Sequence, residues 1–544
     1  MRAPPALLPL RHGVFRSLWI ANVVTALGTW MQSTGAGWLM TSLSPDALSV
    51  SLVQAAIIVP TFLLALPAGA LADIVDRRWY LIGSQLWTAL AAILLAVLTL
   101  LDALDAAGLV VLTFAVGVGL AMYQPAWGAT VPEIVPREDL VQAIALNGIG
   151  FNIARALGPA LAGVLILLGG PVLTFALFAA TFVVSLAILL TWRRPHSGRA
   201  TLPRERLLGA MRAGVRFTQH TPAMRAAMLR AVAYFLPAAA PWALLPLVVR
   251  EQLGLGAGSF GLLLGLMGVG GVTSGMLLPL LRGRAGRGAT VFGASLVSCA
   301  GMALVAAAAH WSMAALGMAL FGVGWVAAAS TAQAAAQLAS PAWVRARALA
   351  IYQLSFNGAL AVGSFLWGWL GTVAGLQVSM AAAAVLLAVG AVAVRGWGLD
   401  YTGARPAALP TLPVPEAPAS ELAPLLALSR DRVMETMRYR VGAADRELFL
   451  SAMAEVEHVR GRTGAIVWRL YEDVAHPDGW MEIWAVANWT DHLREAIRLS
   501  DEDRALLARV SVFADSAAPL PCRYIAVAPA ASGRTYATLA GKAR

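Results

Sequence analysis

Twelve stretches of mostly apolar residues follow one another over the first four hundred positions. About twenty such residues are what an α-helix needs to cross a hydrocarbon layer about 30 Å thick. They run approximately over 15–40, 48–72, 79–101, 107–130, 140–168, 171–192, 226–249, 258–281, 289–309, 311–337, 345–371 and 374–394. The whole chain is 59% hydrophobic and only 13% charged, whereas soluble proteins carry about 25% charged residues. A lipid bilayer is therefore the expected surrounding of most of the chain. The first helix is expected to be retained, because Pro4, Pro5 and Pro9 interrupt any signal-like start and its apolar run already holds Asn22, Thr25, Trp30 and Gln32.

The net charge of +11 does not point to nucleic acid. Its excess lies in short loops between the apolar runs, where arginine accumulates on one side of a membrane. Arg2, Arg11 and Arg16, then Arg77 and Arg78, Arg137, the Arg282, Arg284 and Arg287 group, Arg345 and Arg347, and Arg395 all fall on one side; the opposite connections hold only Arg250. Both termini are therefore expected in the cytoplasm of a bacterium, beneath its inner membrane. Lys542 is the single lysine and follows no glycine-rich strand-to-helix turn, so no phosphate-cradling loop drives the chain. Cys299 and Cys522 form no framework, and the histidines show no ligand spacing on one helix face. No metal or cofactor is expected.

The longest Arg-rich connection, 193–225, divides the runs six and six, and its apolar residues suit a basic amphipathic helix on an anionic leaflet. The halves repeat. At a constant offset of 205, Gly117 and Gly119 fall on Gly322 and Gly324, Pro136 on Pro341, Phe151-Asn152 on Phe356-Asn357, and Gly158 and Gly163 on Gly363 and Gly368. Duplicated six-helix bundles around a central route are a transporter architecture, with the site expected near the bilayer midplane. The expected organisation is a six-helix bundle over 1–192, a basic linker over 193–225, a second bundle over 226–399, a Pro-rich linker over 400–430, a soluble domain over 431–529 and a tail over 530–544. The soluble part reads strand, helix, strand, strand, helix, strand, a ferredoxin-like α+β order.

Several motifs carry a resemblance. Gly69 to Arg78, with Asp73, Asp76, Arg77 and Arg78, is similar to the loop signature between the second and third helices of the major facilitator superfamily; Asp76 stands where many members have Gly. The run Asn152, Arg155, Gly158, Pro159 and Gly163 resembles the Gly-Pro motif of that superfamily's exporters. Its small residues admit a close partner, for which the Gly261, Gly265, Gly268, Gly271 and Gly275 stripe of the eighth run is suited. Pro159 cannot donate to the carbonyl of Arg155 and is expected to bend the helix. Phe15-Arg16-Ser17-Leu18-Trp19, Gly28 to Gln32, Val135 to Leu140, and Trp480-Met481-Glu482 with Asp491-His492-Leu493-Arg494 are similar to the enterobactin-exporter-like, or transmembrane secretion effector, branch. The resemblance covers nearly the whole chain. It implies a twelve-helix major facilitator fold and export of small amphipathic molecules of siderophore or drug type, driven by protons.

The chain departs from that pattern in two places. The fourth run lacks a membrane arginine, and Thr29 stands where many branch members have Asp. Proton coupling needs a titratable group that changes exposure, and the acids Asp73, Glu133, Glu251, Asp102 and Asp105 are all peripheral. Arg155, about 22 Å along its helix, must face the bundle interior, water or an anion, and either a substrate-attracting or a packing role accommodates it. Candidate cavity residues are Asn22, Thr25, Gln32, Tyr123, Gln124, Trp127, Arg155, Tyr234, Trp242, Trp325, Gln333 and Gln337, a polar and aromatic mixture that suits a bulky small-molecule substrate. The soluble domain resembles small dimeric α+β barrels, monooxygenases among them. That resemblance makes the domain a candidate dimerisation surface, with His492 its one catalytic candidate. The competing reading is a membrane-anchored enzyme or ligand sensor whose activity lies in that domain.

Overall fold

The computed structural model describes residues 5–192, 207–284, 286–341, 344–399, 418, 426, 431–518 and 520–525. Residues 193–206 of the first expected linker, nearly all of the second, and the tail lie outside that set. The chain forms two compact units, one of Met1–Pro203, Ala226–Ala335 and Tyr352–Asp400, the other of Arg204–Arg225, Ala336–Ile351 and Tyr401–Arg544.

The first unit is helical: α1 Gly13–Leu43, α2 Ala47–Ile74, α3 Arg77–Leu100, α4 Ala106–Ile134, α5 Leu140–Thr191, α7 Pro222–Leu247, α8 Ala257–Arg284, α9 Arg287–Ala306, α10 Trp311–Leu338, α11 Arg345–Ala374 and α12 Leu376–Ala393, where α7, α10 and α11 each run a few residues beyond it. Ten described helices are long and apolar enough to cross a membrane, and α1, 31 residues long, is not among them. Its polar residues dilute its hydropathy, yet its hydroxyls cost little because they bond back along the helix: Thr25 to the Ala21 carbonyl at 3.0 Å, Thr29 to Thr25 at 2.8 Å and Thr34 to Trp30 at 2.9 Å.

The 52-residue α5 is two crossings. Its dihedrals leave the helical range at Gly169 and at Gly170, where φ is +67° and ψ −173°, a region essentially restricted to glycine. Pro159 sits inside the helical stretch. Three other membrane helices begin at an acid: Asp46, Asp76 and Asp105 accept from the backbone N–H groups of Ser49, Arg78 and Gly108, satisfying donors that have no intrahelical partner.

The repeat is built into the packing. Gly117 sits against the α2 backbone at Ile57 and Gly322 against α8 at Met267. Gly119 abuts α3 at Ser84 and Thr88, as Gly324 abuts α9 at Ala294 and Ser298. Gly158 meets α1 at Trp30, and Gly363 meets α7 at Leu236. At each of these positions a Cβ would overlap the neighbouring helix, so close approach requires glycine. The two halves share one contact plan.

In the second unit, α6 (Leu207–His220) packs on α13 (Arg446–Thr463). Arg216 Nη1 donates to the Gly464 carbonyl at 3.1 Å, the His220 and His458 rings are 6.1 Å apart, and Phe217 and Thr218 are buried. This part of the helix expected on the leaflet thus buries Phe217 in protein, while Val215 is exposed. Strands β1 (Val433–Arg440), β2 (Val467–Glu472), β3 (Gly479–Val486) and β4 (Cys522–Ile525) form an antiparallel sheet in the order β2-β3-β1-β4, with α14 (Trp489–Arg498) and α15 (Asp501–Ser511) between β3 and β4. This is the ferredoxin-like arrangement. Alternate residues of β1 and β3 are buried, so one sheet face holds the core of Met437, Tyr439, Phe449, Met453, Trp480 and Trp484. The other face exposes Met434, Val467, Tyr471 and Tyr524.

Candidate functional site

Helices α5 and α8 run antiparallel and hold a regular register over half their length. A Cβ on Gly261 would stand 2.7 Å from the Pro159 carbonyl oxygen and 2.9 Å from the Gly163 Cα. One turn on, Gly265 faces Ala160 and Gly268 faces Ala156, where the corresponding distance is 2.8 Å. Gly271 then lies beside Arg155 at 3.7 Å. Nearer the Arg-rich end, neither Gly148 nor Gly275 has a described atom within 4 Å of a built Cβ. The close approach of the two helices lies toward the Arg-poor end.

Further contacts between the halves lie at the same Arg-poor end. Ala47 and Ser51 of α2 meet Gly371 and Gly368 of α11, and Leu48 N–H donates to Thr372 Oγ1 at 3.1 Å. Arg250, the one arginine on that side, donates to Thr41 Oγ1 at 2.8 Å and Ser42 Oγ at 2.5 Å while its guanidinium lies over Trp38. It joins the end of α7 to α1.

Where the packed zone ends, an aromatic seam crosses the bundle. The Phe151 ring stands 6.1 Å from Trp30, Trp30 is 5.6 Å from Trp242, and Trp242 is 5.6 Å from Trp325. Phe235 then meets Trp325 at 5.1 Å and Phe356 at 4.3 Å. The offset of 205 relates Trp30 to Phe235 and Phe151 to Phe356, so the seam is two copies of one edge-on pair bridged by two tryptophans. Beside it, Arg155, Pro159, Trp242, Met267, Gly322 and Trp325 line a cavity of about 10 Å³, on the order of one water molecule. Arg155 Nη2 donates to Asn152 Oδ1 at 2.9 Å, and Asn152 in turn donates to the Gly148 carbonyl at 2.8 Å.

Of the residues expected at a cavity, the structure brings Arg155, Trp242 and Trp325 together at this seam. Tyr234 packs on Phe235 and shares a 2.6 Å hydrogen bond with Ser298 of α9. Tyr123 and Trp127 stack on each other within a packed cluster that includes Phe15, Leu18, Tyr80 and Leu81. Gln32 is buried with its amide 3.4 Å from Thr113, Thr25 is buried on its own helix, and Asn22 is half-buried. Gln124, Gln333 and Gln337 are exposed. The residues that sequence reasoning did not place at the site are Trp30, Phe151, Phe235 and Phe356; the repeat that pairs Phe151 with Phe356 is the signal that could have found them.

The loop motif fastens α3 to its neighbours. Asp76 caps α3, Arg77 Nη1 reaches Glu133 Oε1 of α4 at 2.5 Å and the Ala129 carbonyl at 2.9 Å, and Arg78 donates to the Leu190 carbonyl at 2.9 Å. Gly69 and Asp73 lie in α2, with the Asp73 side chain outside the described set.

His492 acquires partners in the second unit. It lies against Glu435 of β1 and Glu495 of α14, and all three are buried. Burial opposes its charge, but the two carboxylates outweigh that and hold its pKa up at about 9. Burial likewise acts against the Glu435 charge, and the contact and charge of His492 keep that carboxyl below its usual range. Burial raises Glu495. Next to them, Glu482 accepts from Tyr439 at 2.7 Å, Arg460 at 2.9 Å and Trp468 at 3.0 Å.

A profile described as transmembrane secretion effector matches residues 5–529. The chain belongs to the transmembrane secretion effector family. The chain is similar to the multidrug efflux pump Tap of Mycolicibacterium fortuitum, 28% identical over 40% of this chain and 54% of that protein. The staphyloferrin A transporter of Staphylococcus aureus is 27% identical over 30% of this chain and 42% of its own. The chain thus spans about half the length of the curated relatives it matches. Among solved structures, an inward-facing, occupied bacterial homologue of the lysosomal transporter Spinster superposes over 73% of this chain and 99% of its own, with 14% identity and a TM-score of 0.59. The nucleoside transporter NupG covers 70% and 98%, with 13% identity and a TM-score of 0.56 in one form and 14% and 0.58 in another. These likenesses establish that this secretion effector family member has the major facilitator fold.

Proposed function

We propose that the chain is a secondary active transporter of a bacterial inner membrane, exporting small amphipathic molecules of drug or siderophore type by alternating access. The observation that carries this reading is the α5–α8 register, packed from Gly261 to Gly268 while Gly148 and Gly275 have no described neighbour within 4 Å. Duplicated bundles packed most closely toward one end can rock to exchange which end is closed. The names of the efflux pump and the siderophore transporter support the substrate class. The aromatic seam supplies flat apolar surface for a bulky ligand, and Arg155 beside it supplies the positive charge that would favour anionic or strongly polarised ones. With the Arg-rich end in the cytoplasm, both termini lie there, and the open end is the loading end for export.

Proton exchange is the coupling proposed, with peripheral acids, Glu133 among them, as the groups that change exposure. Proteoliposomes test it: substrates of siderophore and antibiotic type should each drive a proton flux, and pumping independent of pH would reject antiport. The alternative reading, a sensor or monooxygenase-like activity in the soluble domain, draws on the buried Glu435–His492–Glu495 group. Efflux that survives deletion of residues 431–529 would set that alternative aside. The apolar sheet face of Met434, Val467, Tyr471 and Tyr524 is the surface on which a second copy of the domain would dimerise.

A further inference from the structure

We infer that Glu435, His492 and Glu495 form a binding site for a divalent transition-metal ion of the zinc class. One ligand atom from each lies within 4.8 Å of the others, and all three residues are buried. The local fold explains the meeting. Glu435 sits on the helix-facing side of β1, and His492 and Glu495 are one turn apart on α14. Both carboxylates crowd a single ring nitrogen: His492 Nδ1 is 2.5 Å from Glu435 Oε1 and 3.3 Å from Glu495 Oε2. One N–H can serve only one of them. Glu495, only 8% exposed, also keeps its Oε1 buried without a hydrogen-bond partner, and an orphaned buried carboxylate oxygen is costly.

A bound cation resolves each of these features. At metal–oxygen and metal–nitrogen distances of about 2.0–2.2 Å, ligand atoms stand about 3.3 Å apart around a tetrahedral ion. The His492–Glu495 separation already has that value, and the Glu435 contact needs to open by less than about 1 Å. Charge balances as well. Glu435, Glu482 and Glu495 place three carboxylates about Arg460 and one imidazole; a divalent ion with a neutral ring keeps the site as neutral as a protonated His492 with a neutral Glu495 does. One imidazole and two carboxylates suit zinc, manganese or ferrous ions and leave a coordination position for water.

The test uses the full chain without a histidine tag, stripped with chelator and titrated with Co²⁺ and Zn²⁺. One equivalent should bind and give the visible bands of low-coordinate cobalt. His492→Asn and Glu495→Gln should each weaken binding at least tenfold, with unchanged helical content. Bands of equal strength in both variants, or no binding by the wild type, would overturn the assignment. Because a variant can fail to fold, X-ray absorption of the Zn-loaded wild type gives an independent answer. A first shell of one imidazole with oxygens supports the site, and sulfur or a second imidazole refutes it.

Discussion

Trp30 of α1 and Trp242 of α7 face each other across the seam between the halves with ring centroids 5.6 Å apart. Each also meets an aromatic ring of its own half, Phe151 for the first and Trp325 for the second. Such pairs contribute about 0.5–1.5 kcal/mol beyond their buried area. Trp242→Ala is therefore expected to lower the unfolding temperature modestly and to raise the half-saturating substrate concentration in vesicle transport about tenfold, with Trp242→Phe retaining most activity. Unchanged saturation in the alanine variant would remove the seam from the substrate path.

Two glycines of one stripe should behave oppositely. A side chain at Gly261 meets the backbone of Pro159 and Gly163, whereas one at Gly275 has no described atom within 4 Å. Overpacking a tight contact costs about 1–3 kcal/mol. Efflux at matched expression should fall more than tenfold in Gly261→Val and stay within twofold in Gly275→Ala. Equal losses would mean that the register does not govern closure.

Arg155 separates binding from packing. If it attracts the substrate's negative charge, Arg155→Ala should reduce transport of anionic substrates at least tenfold and that of neutral ones far less, with Arg155→Lys partly rescuing the anions. A uniform fall for both classes would assign it to packing with Asn152.

Glu482 is the acceptor for Tyr439, Arg460 and Trp468 and is fully buried. Removing one partner from a buried ionic group costs about 3–5 kcal/mol. Glu482→Ala should make the soluble domain susceptible to proteolysis at temperatures where the wild type resists; equal protection in the two would contradict the role given to this network.

The α6 contact should weaken in acid. Burial, then the charge of His458, lowers the His220 pKa below 6.5, with Arg216 and Arg225 acting in the same sense and Glu457 against them. The unfolded or undocked state then binds the proton more readily, so docking is undiminished above pH 6.5 and is lost progressively as pH falls below it. Hydrogen exchange of the α6 amides should quicken between pH 6.5 and 5 beyond the intrinsic rate change, and His220→Gln should flatten that dependence.

Much of the fold is legible in the sequence because lipid enforces it. A crossing needs its run of apolar residues, and the Gly163–Gly261 approach needs small ones, so both leave marks along the chain. The seam leaves no such mark. Trp30 and Phe151 are apolar residues in apolar runs, and nothing local says which helix face each occupies. For the same reason Tyr123 and Trp127, apt for a cavity by composition, lie in a packed cluster. His492 with Glu435 shows the limit in the soluble domain, since their contact depends on how α14 lies across a strand formed 57 residues earlier.

Exchange of the closed end is measured most directly by paired spin labels at both ends of α5 and α8. One pair replaces the exposed Ile149 and Met276, and the other the exposed Leu168 and Gly256. Addition of substrate under a proton gradient should bring the first pair together and drive the second apart, in one population shift. Distances that stay fixed at both ends under every condition that supports transport would contradict alternating access.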